Sequence, residues 1–448
     1  MKAGLKGRQM GSKMGSKMGW KMGLLAAALG LPLLALALAA LVLALDAEPA
    51  LQPGPVPLAL NDPALIERGR VLALAGNCAG CHSRPGGAPY AGGAALHTPF
   101  GAVYAGNLTP DASTGLGRWS AEEFWRALQH GRSADGRRLV PAFPYAQTTL
   151  MPRADSDALY AWLRTLPPVQ QAARPHELRW PYDSALALAA WRVLFFEPGP
   201  WQDDPAQSAE WNRGAYLVNG PAHCAACHGG RNALGATADA GFGGGLLPTR
   251  NWYAPAFNRA SQASVADWPL EDIVALLRDG RAPRGHAQGP MAEVVAQSTQ
   301  HLPAADLRAM AVYLKSLPVL PEPAPRRADP PAPESLARGE QLYAEHCASC
   351  HGDTGAGGVL PSGERVVPPL AGNRLVTMDP PANLVRAIAL GGFGAATAAH
   401  PRPFGMPPFA HVLSDAEIAD LATWLRRREN PQAAPLNAFD VARWRGGD

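Results

Sequence analysis

Apolar and polar positions divide the chain into one long uncharged stretch and three blocks of similar plan. Leu24 to Leu45 is 22 residues without a charged side chain. At about 1.5 Å per residue, a helix of that length reaches across a hydrocarbon core of roughly 30 Å. Lys2, Lys6, Arg8, Lys13, Lys17 and Lys21 precede it, and no acid does. A basic flank stays cytoplasmic, so the rest is expected on the exported side. The stretch reads either as an uncleaved anchor or as a signal cleaved at the poor site Leu45-Asp46-Ala47. Pro32 kinks such a helix without forbidding it. Further on, helical spacing recurs at matched places. Stretches ending in glycine occupy Glu123 to Gly131, Asp272 to Gly280 and Asn383 to Gly391. Each block closes on a helical pattern with an aromatic: Ala161-Trp162-Leu163-Arg164, Val312-Tyr313-Leu314-Lys315 and Thr423-Trp424-Leu425-Arg426. Each opens near an Arg-Gly pair: Arg68-Gly69, Arg213-Gly214 and Arg338-Gly339. Residues 103–132 align without a gap on 252–281, with Trp119 on Trp268. Such self-similarity is the mark of a repeated structural unit.

Composition adds a constraint. With 47 Gly and 45 Pro in 448 residues, the two types fill about a fifth of the chain, against roughly an eighth on average. Hydrophobic residues at 47%, with 12 Trp, exclude collagen and a disordered tail. At roughly 100–200 residues per domain, two to four domains are expected. So much loop needs something besides regular elements to fill the cores. The net charge of +3 is carried by the N-terminal flank; the remainder holds 34 basic against 37 acidic residues. No broad basic surface is left, which argues against a nucleic-acid function.

Six cysteines are too few for a disulfide scaffold of this size. They fall in three identical frames: Cys78-Ala-Gly-Cys81-His82, Cys224-Ala-Ala-Cys227-His228 and Cys347-Ala-Ser-Cys350-His351. C-x-x-C-H is the attachment motif for c-type haem. The two thiols add to the two vinyl groups on one porphyrin edge, and the adjacent histidine reaches the iron. Zinc would require the pairs to combine in fours, and three pairs do not divide evenly. A thioredoxin-like pair needs a βαβ context, and neither chemistry needs a histidine after every second cysteine. The expected cofactors are three covalently bound haem c, and they supply the missing core.

The unit is therefore helix, CxxCH, long Gly/Pro loop, helix, loop and closing helix, the organisation of a small cytochrome c domain. The fold class expected is all-α: three tandem cytochrome c-type domains after an N-terminal apolar helix. The boundaries are a basic low-complexity start at 1–23, the apolar segment 24–45, domains at 62–172, 206–320 and 334–430, and a short polar tail at 431–448. An aromatic linker, 173–205, is expected to pack against its own domains or a partner subunit. A Pro-rich linker, 321–333, is expected to be extended.

Distal ligands set the redox character, because Met–His coordination raises the haem potential. Met406, in Gly405-Met406-Pro407, and Met291, in Gly289-Pro290-Met291, lie in expected loops before the closing helices. Both are candidate ligands. In the first block the slot of Met406 holds Phe143. Met151 follows, but it aligns with Leu302 and Leu413, positions that pack at a helix entrance. His97 and His130 are further candidates, and a five-coordinate iron would need no distal side chain at all. The first haem is therefore expected to differ from the second and third.

Longer stretches carry a resemblance: Thr98-Pro-Phe-Gly-Ala-Val-Tyr104, Asn107-Leu-Thr-Pro-Asp111, residues 208–217, 289–295 and 298–300, and Met406-Pro-Pro-Phe409. From about 62 to 430 the chain resembles the membrane-bound triheme cytochrome c subunits of bacterial periplasmic alcohol, gluconate, sorbitol and fructose dehydrogenases and related aldehyde-oxidising enzymes. The resemblance implies an electron-transfer subunit on the periplasmic side of the inner membrane. It takes electrons from a catalytic dehydrogenase subunit and passes them to ubiquinone or another respiratory acceptor. It implies His82, His228 and His351 as proximal ligands and Met291 and Met406 as distal ones. Phe143 departs from the pattern and resembles members serving molybdenum hydroxylase-type dehydrogenases. The competing reading is a catalytic multihaem oxidoreductase, peroxidase-like or thiosulfate-oxidising, with an open first haem.

Overall fold

Helices form where the chain supplies both a start and a stop. The computed structural model describes residues 14–47, 58–238, 241–247, 250–323, 329–361, 365–403 and 405–446, with backbone only over 14–29. Residues 1–13 of the basic start expected at 1–23, and residues 324–328 of the Pro-rich linker expected at 321–333, lie outside the described residues. Ser120 opens the Ala121–His130 helix by accepting from Glu123 N–H at 3.1 Å, while the Glu123 carboxylate accepts from Ser120 N–H at 2.8 Å. This reciprocal cap satisfies two otherwise unpaired donors. The helices Ala121–His130, Leu270–Asp279 and Ala382–Leu390 stop at Gly131, Gly280 and Gly391, with φ of 58°, 69° and 62°. Only glycine takes these values without strain.

The Arg-Gly pairs join opening to closing helices. The Pro63–Ala75 helix packs on Arg153–Leu163, Ala209–Asn219 on Ala304–Ser316, and Pro333–His346 on Asp415–Glu429. A Cβ at Gly69 would lie 1.9 Å from Ala158 O, one at Gly214 1.9 Å from Ala309 O, and one at Gly339 2.5 Å from Asp420 O. Glycine is thus what lets each crossing close. The neighbouring arginine pairs with an aspartate of the closing helix: Arg68 with Asp155, Arg213 with Asp306 at 2.8 Å and Arg338 with Asp420 at 2.7 Å. The closing helix's aromatic meets a second ring each time: Trp162 and Tyr90, Tyr313 and Trp211, Trp424 and Tyr343.

Three clusters of buried apolar side chains gather around these crossings. The first holds Leu72, Phe124, Met151 and Leu159; the second Leu217, Trp268, Ile273 and Leu307; the third Val385, Ile418 and Leu421. Val71 and Ala75 of the first block lie in the second cluster. Tyr216 O–H donates to buried Asp155 across the same boundary. The third block meets the second where Asn383 and Tyr253 exchange hydrogen bonds of 2.7 and 2.8 Å.

The structure departs from the sequence expectations in four places. The fold is mostly helical rather than all-α, because Gly-rich loops close into short antiparallel ladders such as Gly358–Val359 with Arg365–Val367. The aromatic linker divides: Glu177–Leu178 adds a third strand to the Ala95–Thr98 and Gly101–Tyr104 hairpin, and Ala185–Phe195 forms a helix. Residues of the polar tail form the helix Ala438–Arg445, which buries Val441 and Trp444 in the third cluster. Buried Arg386 donates to the Trp444 carbonyl at 3.1 Å.

The fourth departure is at the N-terminus. Residues 14–47 and 180–197 form a compact unit of their own. In it the Met14–Leu45 helix packs on the Ala185–Phe195 helix, and Arg192 donates to Asp46 at 2.6 Å, both side chains buried. Among the described residues, no helix is long and apolar enough to cross a membrane. Side chains of the 24–45 stretch are described only from residue 30 onward.

Candidate functional site

Each CxxCH motif coils into a single helical turn: Cys78–His82, Ala225–His228 and Ala348–His351. Cysteines three apart then lie on one helical face. The first of each pair sits against its block's apolar cluster: Cys78 on the first, Cys224 on the second, Cys347 within the third. The second of each pair, Cys81, Cys227 and Cys350, is exposed. None of the six forms a disulfide. Burial pushes the Cys78 and Cys224 thiols up to about 12 and Cys347 to about 11, which disfavours thiolate chemistry.

The histidines share one setting. Nδ1 lies 2.7 Å from Gly106 O in His82, 2.7 Å from Pro255 O in His228 and 3.1 Å from Pro368 O in His351. A carbonyl only accepts, so Nδ1 holds the proton and Nε2 keeps its lone pair for a metal. Burial lowers all three imidazole pKa values, His228 to about 4, against the opposing pull of the carbonyl bond. The rings therefore stay neutral at pH 7, as iron ligation needs. His228 also stacks on Phe257 with ring centres 4.1 Å apart.

The first two motifs are neighbours. His223 Nε2 lies 3.1 Å from Gly76 O, and a Cβ on Gly76 would meet Cys78 Sγ at 3.2 Å and Pro221 O at 3.4 Å. Burial raises the Cys81 thiol, nearby Cys227 adds to the rise and Arg250 opposes it.

The distal candidates lie in regular elements, not in the irregular loops expected. Met291 is the second residue of the Pro290–Gln297 helix, because Pro290 suits the first helical position and Gly289, at φ 51°, turns the chain into it. Its side chain packs on Ala287, Ala292, Val295 and Ala395. Met406 is in the strand Gly405–Met406, paired with Gly392–Phe393, and packs on the third cluster. Phe143 packs on the first cluster. Met151, 3% exposed, sits inside that cluster just before the Arg153–Leu163 helix. His97 is exposed on the strand Ala95–Thr98, and His130 ends its helix edge-on to Trp125.

The donor set fits a covalent haem. Each motif supplies two thiols and one neutral imidazole with a free Nε2. Among the described residues, no three His, Cys, Asp or Glu side chains converge on a point. The indole N–H groups of Trp268 and Trp125 are buried without a hydrogen-bond partner among the described residues. A buried orphan donor is costly, and a carboxylate such as a haem propionate satisfies it. The Trp119 indole, aligned with Trp268, is not among these orphans; Trp125 carries no repeat signal and was legible only from its burial.

Comparison with known proteins agrees with this chemistry. Residues 66–167 match the family described as cytochrome c, and residues 334–425 match subunit III of cbb3-type cytochrome c oxidase. A nicotinate dehydrogenase subunit of Pseudomonas putida is 42% identical over 371 residues, 82% of this chain and 30% of that protein. The chain thus spans less than a third of that relative. The cytochrome c subunit of quinone alcohol dehydrogenase from Gluconobacter oxydans is 36% identical, covering 86% of this chain and 83% of its own length. The cytochrome c subunit of gluconate 2-dehydrogenase from Pantoea cypripedii is 34% identical, with coverage of 85% and 89%. By these measures the chain belongs to the family of cytochrome c subunits of alcohol and gluconate dehydrogenase complexes, carriers of covalent haem.

Proposed function

We propose that this chain is a triheme electron-transfer subunit that carries electrons from a periplasmic dehydrogenase to ubiquinone or another respiratory acceptor. The observation that carries the reading is the threefold repetition of one setting. In each block the first cysteine touches the core, the second is exposed, and the histidine Nδ1 is tied to a carbonyl. Haem c supplies one-electron exchange at its iron. Cys78 and Cys81, Cys224 and Cys227, and Cys347 and Cys350 hold the three groups. His82, His228 and His351 present Nε2 as proximal ligands, and Met291 and Met406 are the distal ligands of the second and third. In the first block Phe143 fills the position that the repeat alignment gives to Met406, so its haem is set apart from the others. The three units are residues 62–172, 206–320 and 334–430, the last extended by the Ala438–Arg445 helix.

The higher identity to a nicotinate dehydrogenase subunit than to the alcohol and gluconate relatives, together with Phe143, favours a partner that oxidises a heterocycle or an aldehyde. Attachment to the periplasmic side of the inner membrane rests on the 24–45 stretch.

The test counts haem and follows electrons. A pyridine haemochrome assay should return three haems per chain, and the paired Cys-to-Ser change in any one motif should return two. The purified subunit should be reduced only when its dehydrogenase and substrate are both present. Two haems in the unaltered chain would overturn the triheme reading. Rapid turnover of peroxide or thiosulfate by the isolated chain would favour a catalytic role.

A further inference from the structure

The unit formed by residues 14–47 and 180–197 is built inside out relative to a water-soluble protein. The ion pair of Arg192 with Asp46 is buried, the two residues being 6% and 7% exposed. Several of its large apolar side chains face outward: Leu194 is 65% exposed, Leu45 62% and Trp180 83%. In water the arrangement is normally reversed, because ions are kept solvated and leucines are withdrawn.

The Ala185–Phe195 helix carries this inversion along one face. Leu186, Ala190, Val193 and Leu194 fall at the i, i+4, i+7, i+8 spacing of a single helical stripe. Leu186, Val193 and Leu194 are exposed. A surface helix places its charged residues on that face. Here the helix's only charged residue, Arg192, points away from the stripe to Asp46. The Met14–Leu45 helix on which it packs also exposes Leu31, Leu36, Leu41 and Leu45.

We propose that the Ala185–Phe195 helix is a second lipid-contacting element, its Leu186–Leu194 stripe set in bilayer hydrocarbon beside the 24–45 segment. The proposal rests on the membrane attachment proposed above. Lipid is the occupant because the helix bearing the stripe packs on the helix that holds an uncharged apolar stretch of 22 residues after a basic flank. Eleven residues make a helix about 16 Å long, roughly half the hydrocarbon thickness, so it enters one leaflet only. Asp46 follows the exported end of the 24–45 stretch, which assigns the leaflet to the periplasmic side. The buried pair fits that depth: the arginine of a helix placed in lipid needs its counter-ion inside the helix pair. Trp180 and Tyr182, exposed at the start of this segment, are residue types that gather at the membrane–water boundary.

The test uses the full-length holoprotein in nanodiscs whose phospholipids carry a diazirine in the acyl chain, with adducts mapped by mass spectrometry. The expected result is labelling of 185–195 about tenfold above the core-packed 415–429 helix, alongside labelling of 24–45. The double variant L186E/L194E should lose the adducts on 185–195 while keeping its haem content and the labelling of 24–45. Labelling of 24–45 without 185–195 overturns this inference and leaves the membrane attachment standing. Absence of labelling on both overturns the attachment and the inference with it. Labelling of 185–195 that disappears when the dehydrogenase subunit is bound assigns the stripe to that partner and also overturns the inference.

Discussion

Removing one hydroxyl, in Tyr216→Phe, should loosen the boundary between the first two blocks. Tyr216 O–H donates to Asp155, and both residues are buried, at 6% and 1% exposure. Asp155 also accepts from Arg68. The phenylalanine variant leaves one buried carboxylate oxygen without its donor. A hydrogen bond to a charged group contributes about 1.5–3 kcal/mol, and a loss of about 2 kcal/mol is expected. For a unit of about 200 residues this is roughly 4–8 °C in thermal midpoint, read by circular dichroism of the oxidised holoprotein. Tyr160→Phe is the control: its hydroxyl donates at 2.6 Å to the uncharged Trp119 carbonyl, a bond that contributes about 1 kcal/mol. The alkaline limb gives an independent check. Burial first, and then the Asp155 charge, hold the Tyr216 phenol far above its ordinary value of 10.0. The folded chain keeps that proton where the unfolded chain gives it up. Stability from this group is therefore full below about pH 10 and falls as pH rises beyond it. Tyr216→Phe should flatten that fall. A variant within about 0.5 kcal/mol of the unaltered protein at pH 7, with the same alkaline slope, would refute the role given to Asp155.

Three further outcomes are expected. Met291→Ala and Met406→Ala should each lower one haem potential by roughly 0.1 V, within the range of about 0.8 V that axial ligands span, with haem content unchanged; an unaltered redox titration removes that residue as a ligand. Gly214→Ala should destabilise by about 1–3 kcal/mol in thermal unfolding despite better helix propensity, because its Cβ would fall 1.9 Å from Ala309 O; a raised midpoint would count against the close crossing. Arg192→Ala should cost about 3–5 kcal/mol by stranding buried Asp46, whereas Arg192→Met with Asp46→Leu should recover most of it. Limited proteolysis of the 180–197 segment in detergent reads both.

The haem motifs were legible because chemistry demands their spacing, and Gly131, Gly280 and Gly391 because a left-handed exit demands glycine. Arg68, Arg213 and Arg338 were visible as a repeated motif, but their partners were not. Asp155, Asp306 and Asp420 lie 87, 93 and 82 residues away, and nothing local announces them. In the third block, repeat alignment points to Glu417 rather than Asp420. Glu417 is already taken by the Ser414 cap, so the pairing moves one turn along the helix. Met291 and Met406 read as loop because Gly-Pro and Met-Pro punctuate the chain there, although Pro290 in fact starts a helix. The Ala438–Arg445 helix was missed because eight residues give too short a period to recognise. Its two anchors, Val441 and Trp444, become meaningful only once the third cluster exists to receive them.

The three blocks are alike where they hold the chain together and differ in the loops that lead to Phe143, Met291 and Met406. Each uses the same glycine crossing, the same arginine–aspartate pair and the same carbonyl-anchored histidine. The divergence begins after the glycine that ends the middle helix. Past Gly391, the chain returns as the Gly405–Met406 strand, close enough that a Cβ on Gly391 would lie 2.2 Å from Met406 O. Past Gly280, a two-residue ladder, Arg281–Ala282 with Gly285–His286, leads into the helix that carries Met291. Past Gly131, the Arg132–Arg138 bridge leads to Phe143, which packs on the first cluster. One helix exit thus feeds three different loops. The shared parts hold the crossing and the histidine, so, on the ligands proposed above, the loop can change the distal residue, and with it the potential, at little cost to the fold. On that argument, exchanging the 132–144 segment for its Met-bearing counterpart should change the first haem's spectrum and potential while leaving haem attachment intact.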